Sequence, residues 1–226
     1  MNASVTAVGT PDQAGGRPAR RRLSPAARRA QLLECALAIF ADRGLGRAGH
    51  ARIAEAAGVS VPTVFHYFPT REALVDAVLD EVEGFFMGLA RDVYAGDGPV
   101  RERLVAHGLA FLEATDSHPA HIRVWLDWST AIREHVWPRY LAFQERLVAL
   151  VAEAIETGRV RGELPERVAP ASAARLFVGN AHMAAVMKFA PDTGFDLNDH
   201  VHRAVDVILA SRPATSGPAR QVGGPP

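Results

Sequence analysis

Residues 53–65 read Ile53-Ala54-Glu55-Ala56-Ala57-Gly58-Val59-Ser60-Val61-Pro62-Thr63-Val64-Phe65. Two short helices joined by a sharp turn account for this order. Helices that cross at a steep angle need a small residue at the contact, and Ala54 supplies it. The turn needs a residue that tolerates positive φ, and Gly58 supplies that. Ser60 is placed to cap the second helix. Val64 then points back into a small core with Ile53, Ala57 and Val59. Val61, Pro62, Thr63, His66 and Tyr67 are left facing outward, on a helix short enough for a major groove. Any tight helical hairpin uses Ala and Gly at such spacing. The surroundings favour a DNA reader: Ser60, Thr63, Tyr67 and Thr70 offer hydroxyls, and Arg52 and Arg71 offer charge, the groups that bind phosphates and fix register. Thr63 and His66 are the candidates for base edges.

Helical periodicity extends outward from this pair in both directions. Upstream, Ser24 caps a helix with Pro25 at its first position; Leu33, Ala36, Leu37 and Phe40 form its apolar stripe, and Gly44 ends it. The next two helices cover about 50–57 and 61–67. Downstream, Thr70 caps a long fourth helix carrying Leu74, Val78, Leu79, Val82, Phe85 and Phe86. Pro99, Pro119 and Pro138 mark the starts of three more. A loop is expected over Gly158–Pro170, then helices from about 171 to 190 and 197 to 211. The fold class is therefore all-α, about nine helices: a three-helix N-terminal domain over 23–70 and a helical domain over 71–212. Residues 1–22 and 213–226, rich in Gly, Pro, Ala and Arg, lack apolar periodicity and are expected to be disordered.

The 226 residues carry zero formal net charge, so the total says nothing about nucleic acid. The distribution says more. Residues 17–29 hold six arginines and no acid. Beside a DNA-reading element, Arg20, Arg21 and Arg22 read as an arm that tracks phosphates or enters a minor groove. No apolar run approaches the roughly 18 residues a membrane span needs. The N-terminus lacks a secretory apolar segment, and a single cysteine, Cys35, rules out an intrachain disulfide. A cytoplasmic protein without membrane association is expected.

These residues resemble the TetR family of repressors, whose helix-turn-helix is followed by an aromatic-rich Y-x-x-F-x-x-[KR]-x-x-L sequence. It stands here as Phe65-His66-Tyr67-Phe68-Pro69-Thr70-Arg71-Glu72-Ala73-Leu74, with Phe replacing the common first Tyr and its phosphate-binding hydroxyl. The match is closer to the branch of LuxR/HapR/SmcR-type quorum-sensing master regulators. Arg22-Leu23-Ser24-Pro25, Gly46 to Ala51, Val59 to Glu72, Val124 to Ser129 and Arg133 to Pro138 carry it over most of the chain. His66 stands where that branch has Asn, and Pro62 where it has Ala, so its operator sequence does not carry over.

The resemblance implies that residues 71–212 bind a ligand and dimerise. A ligand pocket is expected from Phe85, Phe86, Trp125, Asp127, Trp128, Phe177 and Asn180, because apolar walls with a few placed polar groups make small-molecule sites. Pattern alone favours a filled core with polar residues at its edge. An Ala/Gly-rich face on helix 8 and the apolar stripe Val201, Val205, Ile208 and Leu209 on helix 9 suggest a four-helix interface between two copies. A two-fold dimer would set two reading helices about 34–36 Å apart, or more widely, on a pseudo-palindromic site.

No enzyme signature stands against this reading. There is no glycine-rich phosphate loop, no Gly-x-Ser-x-Gly elbow and no Cys–His pair. His118-x-x-His121 is interrupted by Pro119 and lacks an accompanying acidic zinc motif. Neither cofactor nor metal is expected, and Cys35 reads as buried filler. The expected function is sequence-specific transcription regulation by a repressor-type homodimer. Its expected partners are double-stranded DNA, a second copy and a small apolar effector. A ligand-independent global regulator and a helical protein-binding adaptor are the alternatives.

Overall fold

The structure is a computed structural model that describes residues 23–46, 49–132, 134–190 and 194–210. Among them lie nine α-helices and no strand. The basic arm with Arg20, Arg21 and Arg22, and the C-terminal tail, fall outside the described residues.

Helix α1 (Pro25–Arg43) begins where the Ser24 hydroxyl accepts from the Ala27 N–H at 3.2 Å, and Pro25 stands where no N–H is needed. Its buried face is Leu32, Ala36, Leu37 and Phe40, with Leu33 only half-buried; three residues of the expected stripe are in place and Leu32 takes the position expected of Leu33. Helices α2 (His50–Ala57) and α3 (Val61–Tyr67) follow. Helix α4 (Arg71–Ala95) starts with the Thr70 hydroxyl accepting from Ala73 N–H at 3.0 Å. Its first turns pack on α1, and its remainder runs into the bundle of α5 (Val100–Ser117), α6 (Pro119–Thr130), α7 (Trp137–Val160), α8 (Pro170–Phe189) and α9 (Leu197–Ala210).

Helix α7 continues through Gly158, where a loop was expected to begin. A Cβ there would lie 2.4 Å from Val100 Cγ1, so the glycine admits the start of α5 against the end of α7. Gly108 does the same between α5 and α9, where a Cβ would lie 2.6 Å from Val201 Cγ1. One apolar core, from Leu32 to Leu209, runs through all nine helices. Helices α1 and α6 pack extensively on each other, so the three N-terminal helices rest on the bundle by more than the α4 connection.

Candidate nucleic-acid interface

Gly58 makes the turn between α2 and α3. It adopts φ 63°, ψ 40°, a left-handed conformation that a side chain would strain, and its N–H returns to the Ala54 and Glu55 carbonyls. Val59 N–H closes the turn on Ala54 at 2.9 Å. Ile53, Ala54 and Val64 are buried where the helices meet, with Ala57 and Val59 half-buried beside them. Ser60 occupies the N-cap position of α3 but makes no side-chain cap; its hydroxyl pairs instead with that of Thr63 at 2.8 Å. The two hydroxyls therefore present themselves as one hydrogen-bonding edge.

The outer face of α3 exposes Val61, Pro62, His66 and Phe65, with Thr63 and Tyr67 half-buried at its margins. Arg52 is exposed on α2, and Thr70 is exposed next to the start of α4. Tyr67 packs partly on the core and meets His66 edge-on at 5.1 Å. Arg71 is half-buried, and its guanidinium donates to the Leu45 carbonyl. Leu45 is buried, and Asp127 of α6 accepts from its N–H at 2.7 Å. Both polar groups of Leu45 are thus held by side chains from the long connecting helix and the bundle.

His50 was not singled out by the sequence. It is buried, its Nε2 lies 2.7 Å from the Phe68 carbonyl, and its ring stacks on Phe65 with centroids 4.0 Å apart and planes 4° from parallel. Arg29 of α1 lies over Phe68, 5.3 Å from its centroid. The C-terminal end of α3 is thereby fixed to α1 and α2 by a ring stack, a cation–π contact and a hydrogen bond. Nothing local in Gly49-His50 announces this, because the partners are fifteen and eighteen residues away.

The expected pocket residues divide. Phe86, Trp125, Phe177 and Asn180 line a mostly apolar cavity, together with His107, Phe111 and Phe143. Phe85 lies off it, flanked by the rings of His118 and His121 at 4.8 and 4.5 Å. Trp128 is fully buried packing: its indole N–H donates to the Val136 carbonyl at 3.0 Å and its ring stacks on Phe143. Asp127 faces Leu45 instead of the cavity. The polar–aromatic mix in residues 125–128 thus serves two purposes on opposite faces of α6. The cavity measures about 50 Å³, where one enclosed water needs roughly 10–15 Å³, so its walls must move to admit anything larger than a slender molecule.

His107 was also missed. It lies in the cavity wall, buried, with Nδ1 3.0 Å from the Tyr94 hydroxyl. Burial lowers its pKa to about 4 and raises that of Tyr94, so both are neutral at pH 7. Asn180 shares its side-chain oxygen with His200 Nε2 at 3.1 Å. Among the described residues no group of three or more His, Cys, Asp or Glu side chains could hold a metal. Burial, with Glu34 beside it, raises the Cys35 thiol and keeps it protonated.

A tight three-helix unit with an exposed, short second reading helix, set on a helical bundle with an internal cavity, defines a helix-turn-helix DNA-binding regulator. The sequence profile described as "Bacterial regulatory proteins, tetR family" matches residues 32–78. The chain is 38% identical over 197 residues to the HTH-type transcriptional regulator LuxR of Vibrio harveyi, covering 87% of this chain and 96% of that protein. It is 29% identical to the HTH-type transcriptional repressor KstR2 of Mycobacterium tuberculosis over 61% of this chain and 71% of that one. In fold it is similar to the fatty acid degradation regulator FadR from Bacillus halodurans, with TM-score 0.67 and 20% identity over 84% and 97% of the two chains. A TetR-like regulator from Rhodococcus sp. RHA1 superposes with TM-score 0.67 and 21% identity over 84% and 100%. The chain belongs to the TetR family: it is a DNA-binding transcription regulator and not an enzyme.

Proposed function

We propose that this regulator binds a pseudo-palindromic operator as a homodimer, with residues 23–70 docking α3 in the major groove and residues 71–212 providing the dimer contact and an effector cavity. The observation that carries the reading is the outer face of α3. Val61, Pro62 and His66 are exposed there although Val64, between them, is fully buried. Thr63 and His66 contact base edges; Ser60, Tyr67, Thr70 and Arg52 contact phosphate, as do Arg20, Arg21 and Arg22 from the arm. Arg71 positions the α1–α2 connection and reaches phosphate with its remaining donors.

The dimer contact is the exposed apolar face of α8 and α9. Leu176, Met183 and Val186 follow one side of α8, and Val207 stands on α9 at 67% exposure. Ala184 points the other way, 3% exposed, so a charge there would disrupt the protomer and not the interface. The part of the effector that enters the cavity is uncharged and apolar, with one hydrogen-bonding group for His107 or Asn180, because an unpaired charge among Phe86, Trp125 and Phe143 is costly.

Gel shifts on host genomic fragments across a salt series test the reading. Affinity should fall linearly in log–log with salt, and deleting residues 1–22 should lower affinity and flatten the slope without changing the melting temperature. Salt-insensitive or absent DNA binding would favour the protein-adaptor alternative.

A further inference from the structure

A second depression of about 440 Å³ lies between the end of α4, the first turns of α5 and the end of α7. It is separated from the apolar cavity by the hydrogen-bonded Tyr94 and His107, Tyr94 facing the depression and His107 the cavity. Its charged lining is Arg91, Arg103 and Arg161 with Asp97 and Glu153. None of these five forms an ion pair among the described residues.

Arg103 is the unusual member. Its Nη1 donates to the Tyr94 carbonyl at 3.4 Å, whereas Nε and Nη2 are buried without a hydrogen-bond partner. A guanidinium does not lose its proton to relieve this, so the buried donors call for an acceptor. Nε–H and Nη2–H lie parallel along one edge of the guanidinium plane, the fork that engages two oxygens of one carboxylate or phosphate. Arg91 and Arg161 are exposed and line the same depression.

We propose that this depression is an oxyanion site, in which Arg103 takes two oxygens of a phosphate or carboxylate and Arg91 and Arg161 complete its neutralisation. Glu153 and Asp97 share the lining without engaging the fork, and their negative charge weakens the pull on an anion. The anion is either free or the head of an amphipathic molecule whose apolar part reaches past Tyr94 and His107 into the cavity.

Titration of the full-length protein with inorganic phosphate, ionic strength held by KCl and binding followed by calorimetry, tests the site. Wild type should bind saturably at one site per chain outside the DNA-binding face. Arg103→Gln should weaken this by about tenfold or more, and Glu153→Gln should tighten it by removing a negative charge from the lining. Should Arg103→Gln fail to unfold cooperatively, the double variant Arg91→Gln/Arg161→Gln, altered only at exposed side chains, decides: it should bind phosphate several-fold more weakly. Dodecyl phosphate distinguishes the two sources. Tighter binding than phosphate that Trp125→Ala reduces indicates a head-and-tail ligand; equal binding indicates a free anion. No saturable binding by wild type, or binding unchanged in both Arg103→Gln and the double variant, would overturn the proposal.

Discussion

At the scale of single residues, the division of labour on α3 follows from exposure. His66 is exposed on the outer face, and Tyr67 is half-buried at its edge. An Asn at 66 would offer adenine a bidentate donor–acceptor pair that imidazole cannot. His66→Asn should therefore change preference at one base position per half-site, by about 1–3 kcal/mol for a direct contact. Tyr67→Phe should weaken all sequences about equally, because a phosphate contact carries no base identity. Binding of both variants to single-base operator changes measures this. The second residue-scale prediction concerns His107. Its folded pKa of about 4 lies below the value near 6.5 in an unfolded chain, so the unfolded state binds the proton more readily. Its contribution to stability is full above pH 6.5, is lost as pH falls toward 4, and amounts to about 3 kcal/mol. Urea unfolding of wild type against His107→Gln should show the difference shrinking over that window. A parallel pH dependence in the two proteins would place the burial effect elsewhere.

At the scale of elements, the α1–α2 connection is the point where the reading unit meets the bundle. Asp127 accepts from Leu45 N–H while Arg71 donates to Leu45 C=O. Asp127→Ala should leave a buried N–H without its acceptor and cost about 1 kcal/mol or more; Asp127→Asn, which keeps an oxygen there, should recover most of it. Chemical denaturation measures both. Such connections show why some of the molecule was legible in sequence and some was not. Ser24-Pro25, Thr70 and Gly58 carry their structural instruction within a few residues, so the ends of α1 and α4 and the helix-turn-helix were readable. The side of a helix on which Asp127 or Trp128 falls depends on what packs there, and residues 125–128 offer aromatic and polar groups to two faces at once. Trp125 reached the cavity, as expected; Asp127 and Trp128 did not. His50, His107 and Arg103 went unnoticed because their partners stand on other helices or, for Tyr94 and Arg103, across a turn whose geometry sequence spacing does not reveal.

At the scale of the whole molecule, the proposed operator binding requires two copies acting together. Helix α8 exposes the apolar groups Leu176, Met183 and Val186, and exposed apolar patches mark interaction surfaces. Met183→Arg should shift the protein toward monomer in sedimentation while leaving the single-chain core intact, since Met183 is 43% exposed. The same variant should lose operator affinity far beyond its loss of helix content, which is nil. The most direct test of the central claim is selection of bound duplexes from a fully random library. Wild type should enrich an inverted repeat whose half-site centres lie about 10–10.5 base pairs apart or at a longer two-fold spacing, and Met183→Arg should enrich it poorly. Enrichment of a single unpaired half-site by a monomeric wild type, or no enriched sequence at all, would contradict the account.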